Sequence, residues 1–349
     1  MNIEQILASG NLEKSVLIGY YGGGNYGDEL LLEVLAARLR GEGVQNITIT
    51  YQDLSLYKTY HRDFGYPLIQ MGNKVAVLRT IVKNKTIIVG GGGLWGLDVN
   101  PNIFLLSLML FASRWLLGKS VYLLGVGYYN STNWYGRLSA WVAGKAATQI
   151  VARDHETYVN FQKITKHVSL DADIAWQIAK VDLLPYRRDF LALKSMLPVA
   201  SKTLFITLRR FKRAQKSNYN EAVEAFLAGN EHPVIVALME PRSVDPEGYE
   251  RIKLWQQTYR NVHVIDFSWN PLALFVFFKE YRDELAVVAP QFHVILTAYV
   301  TGVLFLPIAY DNKVSELLKQ VGHSNILSAH ALARADLEKF ANAFYGSVV

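Results

Sequence analysis

Short apolar runs alternate with helix-length segments along the whole chain. Val16–Tyr20 is an apolar run of strand length that ends at once in glycines, and Ile47–Tyr51, Thr86–Val89, Ser120–Leu124 and Ala146–Val151 repeat that style. Between the first two runs, Asp28–Arg40 opens on two acids and sets Leu31, Leu32, Leu35 and Leu39 on one stripe, which predicts an amphipathic helix. A second series follows Thr203: Leu204–Leu208, Val234–Leu238, Val262–Ile265, Leu285–Ala289 and Val303–Ala309, again with helical stretches between. Strands spaced by helices build parallel βαβ units. The expectation is therefore α/β: two Rossmann-like domains, residues 1–185 and 200–349, facing each other across a cleft. Val181–Lys202, with two prolines and the Arg187–Arg188 pair, is the expected hinge.

Ile103–Leu117 (IFLLSLMLFASRWLL) is the one stretch that suggests a membrane segment. It falls short of the roughly 20 residues a spanning helix needs, and Arg114 interrupts it. A helix buried between two strands is the first expectation. An interfacial helix anchored by Arg114 and Trp115 is the alternative. The opening MNIEQILASGNLEK has no basic start followed by an apolar run, so it does not read as a secretory signal. A cytoplasmic location is expected, with peripheral contact at the inner membrane face left open.

Composition narrows the chemistry. Hydrophobic residues are 51% and charged residues 19%, which excludes a disordered chain. The absence of cysteine excludes disulfides, thiolate-bound metals and thiol catalysis. A net charge of +6 suits anionic small molecules or an acidic membrane and is too weak to argue for nucleic acid.

In the first half, three predicted strands end in glycine: Gly22, Gly23 and Gly24, then Gly90 to Gly93, then Gly125 and Gly127. Ligands of open parallel sheets bind beyond the carboxyl ends of strands, where backbone must come close, so these loops predict a shared binding edge. Gly22, Gly24 and Gly27 also match G-x-G-x-x-G, and Asp53 follows the next strand, as in a dinucleotide site. Asp28 and Glu29 argue against that reading. They occupy the helix start where a pyrophosphate would sit, and the helix dipole favours them there, with Asp28 as the expected N-cap.

In the second half, His293 follows the run Leu285–Ala289 and begins a helical stretch, while Lys313 follows Val303–Ala309 and begins another. Two successive βα loops thus bring a proton carrier and a cation to one edge, which suits an anionic substrate. Arg209, Arg210, Lys212 and Arg213 follow Leu204–Leu208, also at a carboxyl end, as a basic surface, a membrane contact or a ligand site. Arg153 and Asp154 form an ion pair, a helix cap or a site facing an anion. Asp171 and Asp173 have D-x-D spacing with no further ligand tied to them, so no metal is expected.

The segment GYYGGGNYGDELLL (Gly19–Leu32) resembles the opening of the polysaccharide pyruvyl transferase family. The resemblance continues through IIVGGGGLW (Ile87–Trp95), LLGVGYY (Leu123–Tyr129), VARDHET (Val151–Thr157) and APQFHVILTAYVTGVLFLPIAYDNK (Ala289–Lys313). It implies a GT-B-like pair of domains and transfer of a pyruvyl group from phosphoenolpyruvate to two hydroxyls of a cell-surface saccharide, sometimes lipid-linked, as a cyclic ketal with release of phosphate. No metal or organic cofactor is implied. His293 and Lys313 match the family's catalytic His and Lys. Arg153 matches the Arg of its Arg-Asp pair on the donor side. The acceptor side is expected at Gly22, Gly23, Asn25, Asp28, Gly91, Gly92 and Gly127. One position departs: the family's Arg two residues before the His is Gln291 here, which supplies neither fixed charge nor bidentate fork. Gln291 is still expected on the donor side, with Arg209 as the compensating cation. Two alternatives stay open: a GT-B glycosyltransferase using a nucleotide sugar, and a non-catalytic glycan-binding member.

Overall fold

The computed structural model describes the chain except for residues 10–11, 56–64, 96–100, 130–132, 187–189, 192–201, 212–216, 268–269, 311, 324–325 and 347–349. Most of the expected hinge, together with Lys212 and Arg213, lies outside the described residues. The chain divides into two compact units: Met1–Gly23 with Asp28–Asp182, and Gly24–Gly27 with Leu183–Val349.

The first unit holds strands β1 (Ser15–Ile18), β2 (Ile47–Tyr51), β3 (Leu68–Gln70), β4 (Thr86–Gly90), β5 (Ser120–Val126), β6 (Gln149–Ala152) and β7 (Val168–Leu170). They form one parallel sheet in the order β3-β2-β1-β4-β5-β6-β7. Val16 is in register with Thr48 on one side and Ile87 on the other. Strands β1 and β4 are buried along their whole length, as expected where helices cover both faces of a parallel sheet. Its helices are α1 (Ile3–Leu7), α2 (Tyr26–Gly41), α3 (Lys74–Lys83), α4 (Pro101–Trp115), α5 (Trp134–Ala146) and α6 (His155–Gln162).

The second unit holds β8 (Thr203–Thr207), β9 (Val234–Leu238), β10 (Val262–Asp266), β11 (Leu285–Ala289), β12 (Leu304–Ala309) and β13 (Leu327–Ser328), parallel in the order β10-β9-β8-β11-β12-β13. Between them run α7 (Tyr219–Leu227), α8 (Pro246–Thr258), α9 (Pro271–Glu280), α10 (Phe292–Thr301) and α11 (Asn312–Gln320), and α12 (Arg334–Gly346) follows β13. In each sheet the strand order reverses once, between β1 and β4 and between β8 and β11. Those two switch points are where a doubly wound sheet opens a crevice at its carboxyl edge.

Several expectations need correction. Strand β1 stops at Ile18, two residues before Tyr20, and β6 starts at Gln149 because Ala146 still belongs to α5. Helix α2 starts at Tyr26, so Asp28 is its third residue and not its N-cap. The short strands β3, β7 and β13 sit away from the centre of their sheets and were not anticipated. The apolar helix α4 lies between β4 and β5 as expected but is not buried. Its fully buried residues are Ser107, Leu110 and Ser113, with Ile103, Leu106 and Met109 half-buried on the core, while Leu105, Leu108, Phe111 and Trp115 are exposed.

Candidate active site

At the carboxyl ends of the first sheet, a buried carboxylate shapes the first glycine loop. Glu29, 2% exposed, accepts the Gly22 N–H at 2.6 Å on Oε1 and the Tyr51 hydroxyl at 3.3 Å on Oε2. Gly22 has φ +76°, and a Cβ there would fall 2.3 Å from the Tyr51 ring, so both conformation and space demand glycine. The neighbouring Tyr21 hydroxyl donates to the Gly90 carbonyl at 2.6 Å and ties the first loop to the second. Burial, reinforced by the negative charges of Asp28 and Glu29, pushes that hydroxyl's pKa well above its usual 10.0.

The second and third loops are stitched through backbone. Gly91 N–H donates to Leu124 O at 2.7 Å and Gly127 N–H to Gly92 O at 2.9 Å. Half-buried Asp28 reaches the same edge, with its Oδ1 standing 3.8 Å from where a Cβ on Gly92 would lie. Asp28, Gly91 and Gly92 therefore meet at the β1–β4 switch point. Gly23 packs under the Tyr20 ring. Asp53 is not part of this edge: its carboxylate accepts the Ser55 N–H and hydroxyl within its own turn.

Arg153, just past β6, is spoken for. Its guanidinium donates to the Tyr129 hydroxyl at 2.7 Å and to Asp173 Oδ2 at 3.2 Å, and its Nε lies 3.7 Å from Asp154 Oδ2. Asp154 also caps α6 by accepting the Thr157 N–H at 2.8 Å, and Asp173 caps the 3-10 turn Ile174–Lys180. These charges hold Arg153 protonated, against its burial. Burial, more than any charge, lifts the Tyr129 hydroxyl to about 12. Gly127 abuts this network, since a Cβ there would meet Tyr129 and Arg153 at 2.9 and 3.1 Å. The D-x-D pair is likewise spent internally: Asp171 accepts the Ile3 N–H at 2.9 Å. Among the described residues no group of three His, Cys, Asp or Glu is placed to hold a metal ion.

In the second unit, His293 is the second residue of α10, directly beyond the carboxyl end of β11. Its carbonyl accepts the Thr297 hydroxyl at 2.7 Å, and its ring meets Phe292 edge-on at 4.9 Å. Gly27, in the short segment that belongs to this unit, packs against the imidazole so closely that a Cβ would stand 2.2 Å from Nδ1. Asn25 Oδ1 accepts the Gly27 N–H at 3.0 Å and fixes that turn. The third glycine of the G-x-G-x-x-G pattern thus packs against a histidine.

Gln291 is the N-cap residue of α10 but makes no side-chain cap. Both ends of its amide reach the end of β8 instead: Oε1 accepts the Thr207 hydroxyl and Nε2 donates to Leu208 O, each at 2.5 Å. It bridges the β8–β11 switch point. Arg209 stacks on the Tyr310 ring at 3.9 Å from its centroid, and its buried Nε has no hydrogen-bond partner among the described residues. Arg209, Arg210 and Arg251 line a pocket of about 240 Å³ with Asn220, Glu221 and Asp245, between the N-termini of α7 and α8. Lys313 is the second residue of α11; its side chain lies outside the described residues.

The structure thus gathers Gly22, Asp28, Gly91 and Gly92 at one switch point, Gln291 and His293 at the other, and Asn25 with His293 through Gly27. Glu29, Tyr129 and Tyr310 were missed as residues that shape these edges. Their signal in the sequence is position, since each follows or opens a predicted βα junction.

The family model for polysaccharide pyruvyl transferase matches residues 25–312, most of the chain, ending one residue before Lys313. The chain belongs to the polysaccharide pyruvyl transferase family. No curated protein matches it by sequence. Among solved structures, this family member is similar to the UDP-GlcNAc 2-epimerase of Neisseria meningitidis bound to UDP-GlcNAc, at 12% identity and TM-score 0.57 over 94% of this chain and 90% of that one. It is similar to Anabaena HepE in complex with UDP and glucose, at 12% identity and TM-score 0.56 over 95% and 89%. A third likeness is the UDP-GlcNAc 2-epimerase of Methanocaldococcus jannaschii, at 12% identity and TM-score 0.56 over 95% and 92%. At these identities the likeness establishes the fold, a GT-B-like α/β architecture of two parallel sheets.

Proposed function

We propose that this family member transfers a pyruvyl group from phosphoenolpyruvate to two hydroxyls of a cell-surface saccharide, closing a cyclic ketal and releasing phosphate. The observation that carries the reading is His293, held in the first turn of α10 at the carboxyl end of β11, in a chain of this family. His293 donates a proton to the methylene carbon of the enol phosphate, and the central carbon becomes electrophilic. One sugar hydroxyl adds to that carbon and loses its proton. The carbon–oxygen bond to phosphate then breaks, and the second hydroxyl closes the ring and loses its own proton.

Lys313 and Arg209 are assigned to the donor's negative charge. Arg153 is not, because its guanidinium is already engaged by Asp173, Asp154 and Tyr129. Gln291 acts as a positioning residue that fixes the start of α10 to β8. The acceptor is assigned to the glycine loops at Gly22, Gly23, Gly91, Gly92 and Gly127, with Asn25, and Asp28 accepts a hydroxyl proton. The reaction needs no metal or organic cofactor.

The rival reading, a nucleotide-sugar enzyme, is separated by ligand-dependent thermal stability. A ligand at about 100 times its Kd stabilises the native state by about 2.7 kcal/mol. Phosphoenolpyruvate is expected to raise the melting temperature, and UDP-GlcNAc and UDP-glucose are expected to leave it unchanged. The reverse pattern would remove the pyruvyl reading.

A further inference from the structure

Helices α3, α4 and α5 cover one face of the first sheet: Val77 and Ile81, Leu110, and Ala140 and Ala143 belong to a single core cluster beneath them. Their C-terminal ends are sewn together. Lys119, just past α4, donates to Val82 O at 2.9 Å and to Asn84 O at the end of α3, and Trp115 Nε1 donates to Lys145 O at 3.2 Å at the end of α5. Helices α4 and α5 run side by side, with Phe104 against Tyr135 and the Ser107 hydroxyl 2.9 Å from that of Ser139.

The pair is apolar on both sides. Ser107, Leu110 and Ser113 on α4, and Gly136, Ser139, Ala140, Ala143 and Gly144 on α5, are buried, and Ile103, Leu106 and Met109 pack half-buried against the core. Further large apolar side chains face outward. On α5, Trp134, Leu138 and Trp141 recur at i, i+4 and i+7, with Trp134 67% exposed. Leu105, Leu108, Phe111 and Trp115 line α4, and α3 adds Val75, Leu78 and Val82 at i, i+3 and i+7. Lone exposed apolar residues are ordinary, but three adjacent stripes are an interaction face.

Charge selects the occupant. Between residues 64 and 152 the chain carries eight Lys and Arg against one acid, Asp98, a positive excess above the +6 of the whole chain. Lys74, Arg79, Lys83, Arg137 and Lys145 are exposed on the same helices as the apolar stripes. Trp at a polar–apolar boundary flanked by Lys and Arg is the composition of an element lying in the plane of an anionic bilayer surface. No helix among the described residues is long and apolar enough to cross a membrane. We propose that the outer face of α3, α4 and α5 docks on an anionic lipid bilayer, placing the first unit against the surface that carries its lipid-linked or membrane-proximal substrates. The docking stands without the pyruvyl reading; only the substrate's origin rests on it.

The test is flotation of the full chain with phosphatidylglycerol–phosphatidylcholine vesicles, alongside pure phosphatidylcholine vesicles. The chain should float with the anionic vesicles, with its tryptophan emission shifted to the blue, and stay down with the neutral ones. Trp134→Gln with Trp141→Gln should weaken binding at least tenfold at unchanged melting temperature. Lys83→Glu or Arg137→Glu should each weaken it by about fivefold or more. The proposal is overturned if the wild-type chain stays down with anionic vesicles. It is also overturned if sedimentation velocity shows a dimer that the double tryptophan variant dissolves, because the face would then belong to a second copy. Vesicle binding requires no turnover, so its failure and the failure of the pyruvyl reading are separate results.

Discussion

Helices α4 and α9 are built from similar residues and meet opposite surroundings. Helix α9, PLALFVFFKE, is buried at every position from Pro271 to Phe278, with Phe277 packed against Phe205, Phe267 and the linker residue Phe190. Helix α4 is nearly as apolar, yet only Ser107, Leu110 and Ser113 are fully buried; Ile103, Leu106 and Met109 pack half-buried on the core, and Leu105, Leu108, Phe111 and Trp115 are exposed. Apolar content therefore does not decide which way a helix faces. The size of the residues at the contact contributes: the hydroxyls of Ser107 and Ser139 meet at 2.9 Å between α4 and α5, and part of the bulky side chains is left outside. The two units diverge in the same way at their sheet edges. Both sheets reverse strand order once, but the first edge is organised by glycines and a buried glutamate, the second by an amide, a histidine and stacked arginine.

The largest expected contrast follows from the helices. Phe277→Ala empties a closed core and should cost about 3–5 kcal/mol, read by urea denaturation. Phe111→Ala, at a side chain already 37% exposed, should cost about 1–2 kcal/mol. Equal costs would mean that α4 is covered after all. In the first edge, Arg153→Ala leaves buried Asp173 without its guanidinium and should cost about 3–4 kcal/mol, part of which Arg153→Ala with Asp173→Asn should restore. An unaffected single variant would make the network dispensable to stability.

The smallest effect concerns Glu240, beyond β9. Burial raises its carboxyl above the usual 4.5, although Arg209 and Arg210 oppose the shift. A raised carboxyl contributes stability that is full below pH 4.5 and lost as pH climbs through the folded-state value. Glu240→Gln should therefore raise the melting temperature slightly at pH 7, and the gain should vanish below pH 4.5. A gain that persists in acid would point to packing instead of charge.

Much of this was legible because parallel strands buried on both faces read as continuous apolar runs. The central strands and the position of His293 beyond β11 followed from that pattern alone. Strands β3 and β7 were not legible, because three residues with exposed or half-buried side chains leave no run to see. Glu29 was misread as a helix-dipole anion, since nothing local shows that its carboxylate turns back to Gly22 and Tyr51. The tie from Gln291 to Thr207 spans 84 positions and belongs to the folded sheet. The exposed side of α4 was not legible in its continuous apolar run, although Ser107, Leu110 and Ser113 at three-residue spacing mark the stripe that is fully buried.

The central claim is tested most directly by phosphate release from phosphoenolpyruvate in the presence and absence of a panel of saccharide diols, lipid-linked sugars included, with the product identified by mass spectrometry. The account predicts acceptor-dependent phosphate, a product heavier by one pyruvyl ketal, and a loss of about 10²–10⁴-fold in turnover for His293→Ala with unchanged circular dichroism. Wild-type turnover in that variant, or phosphate release from no diol in the panel, would contradict it.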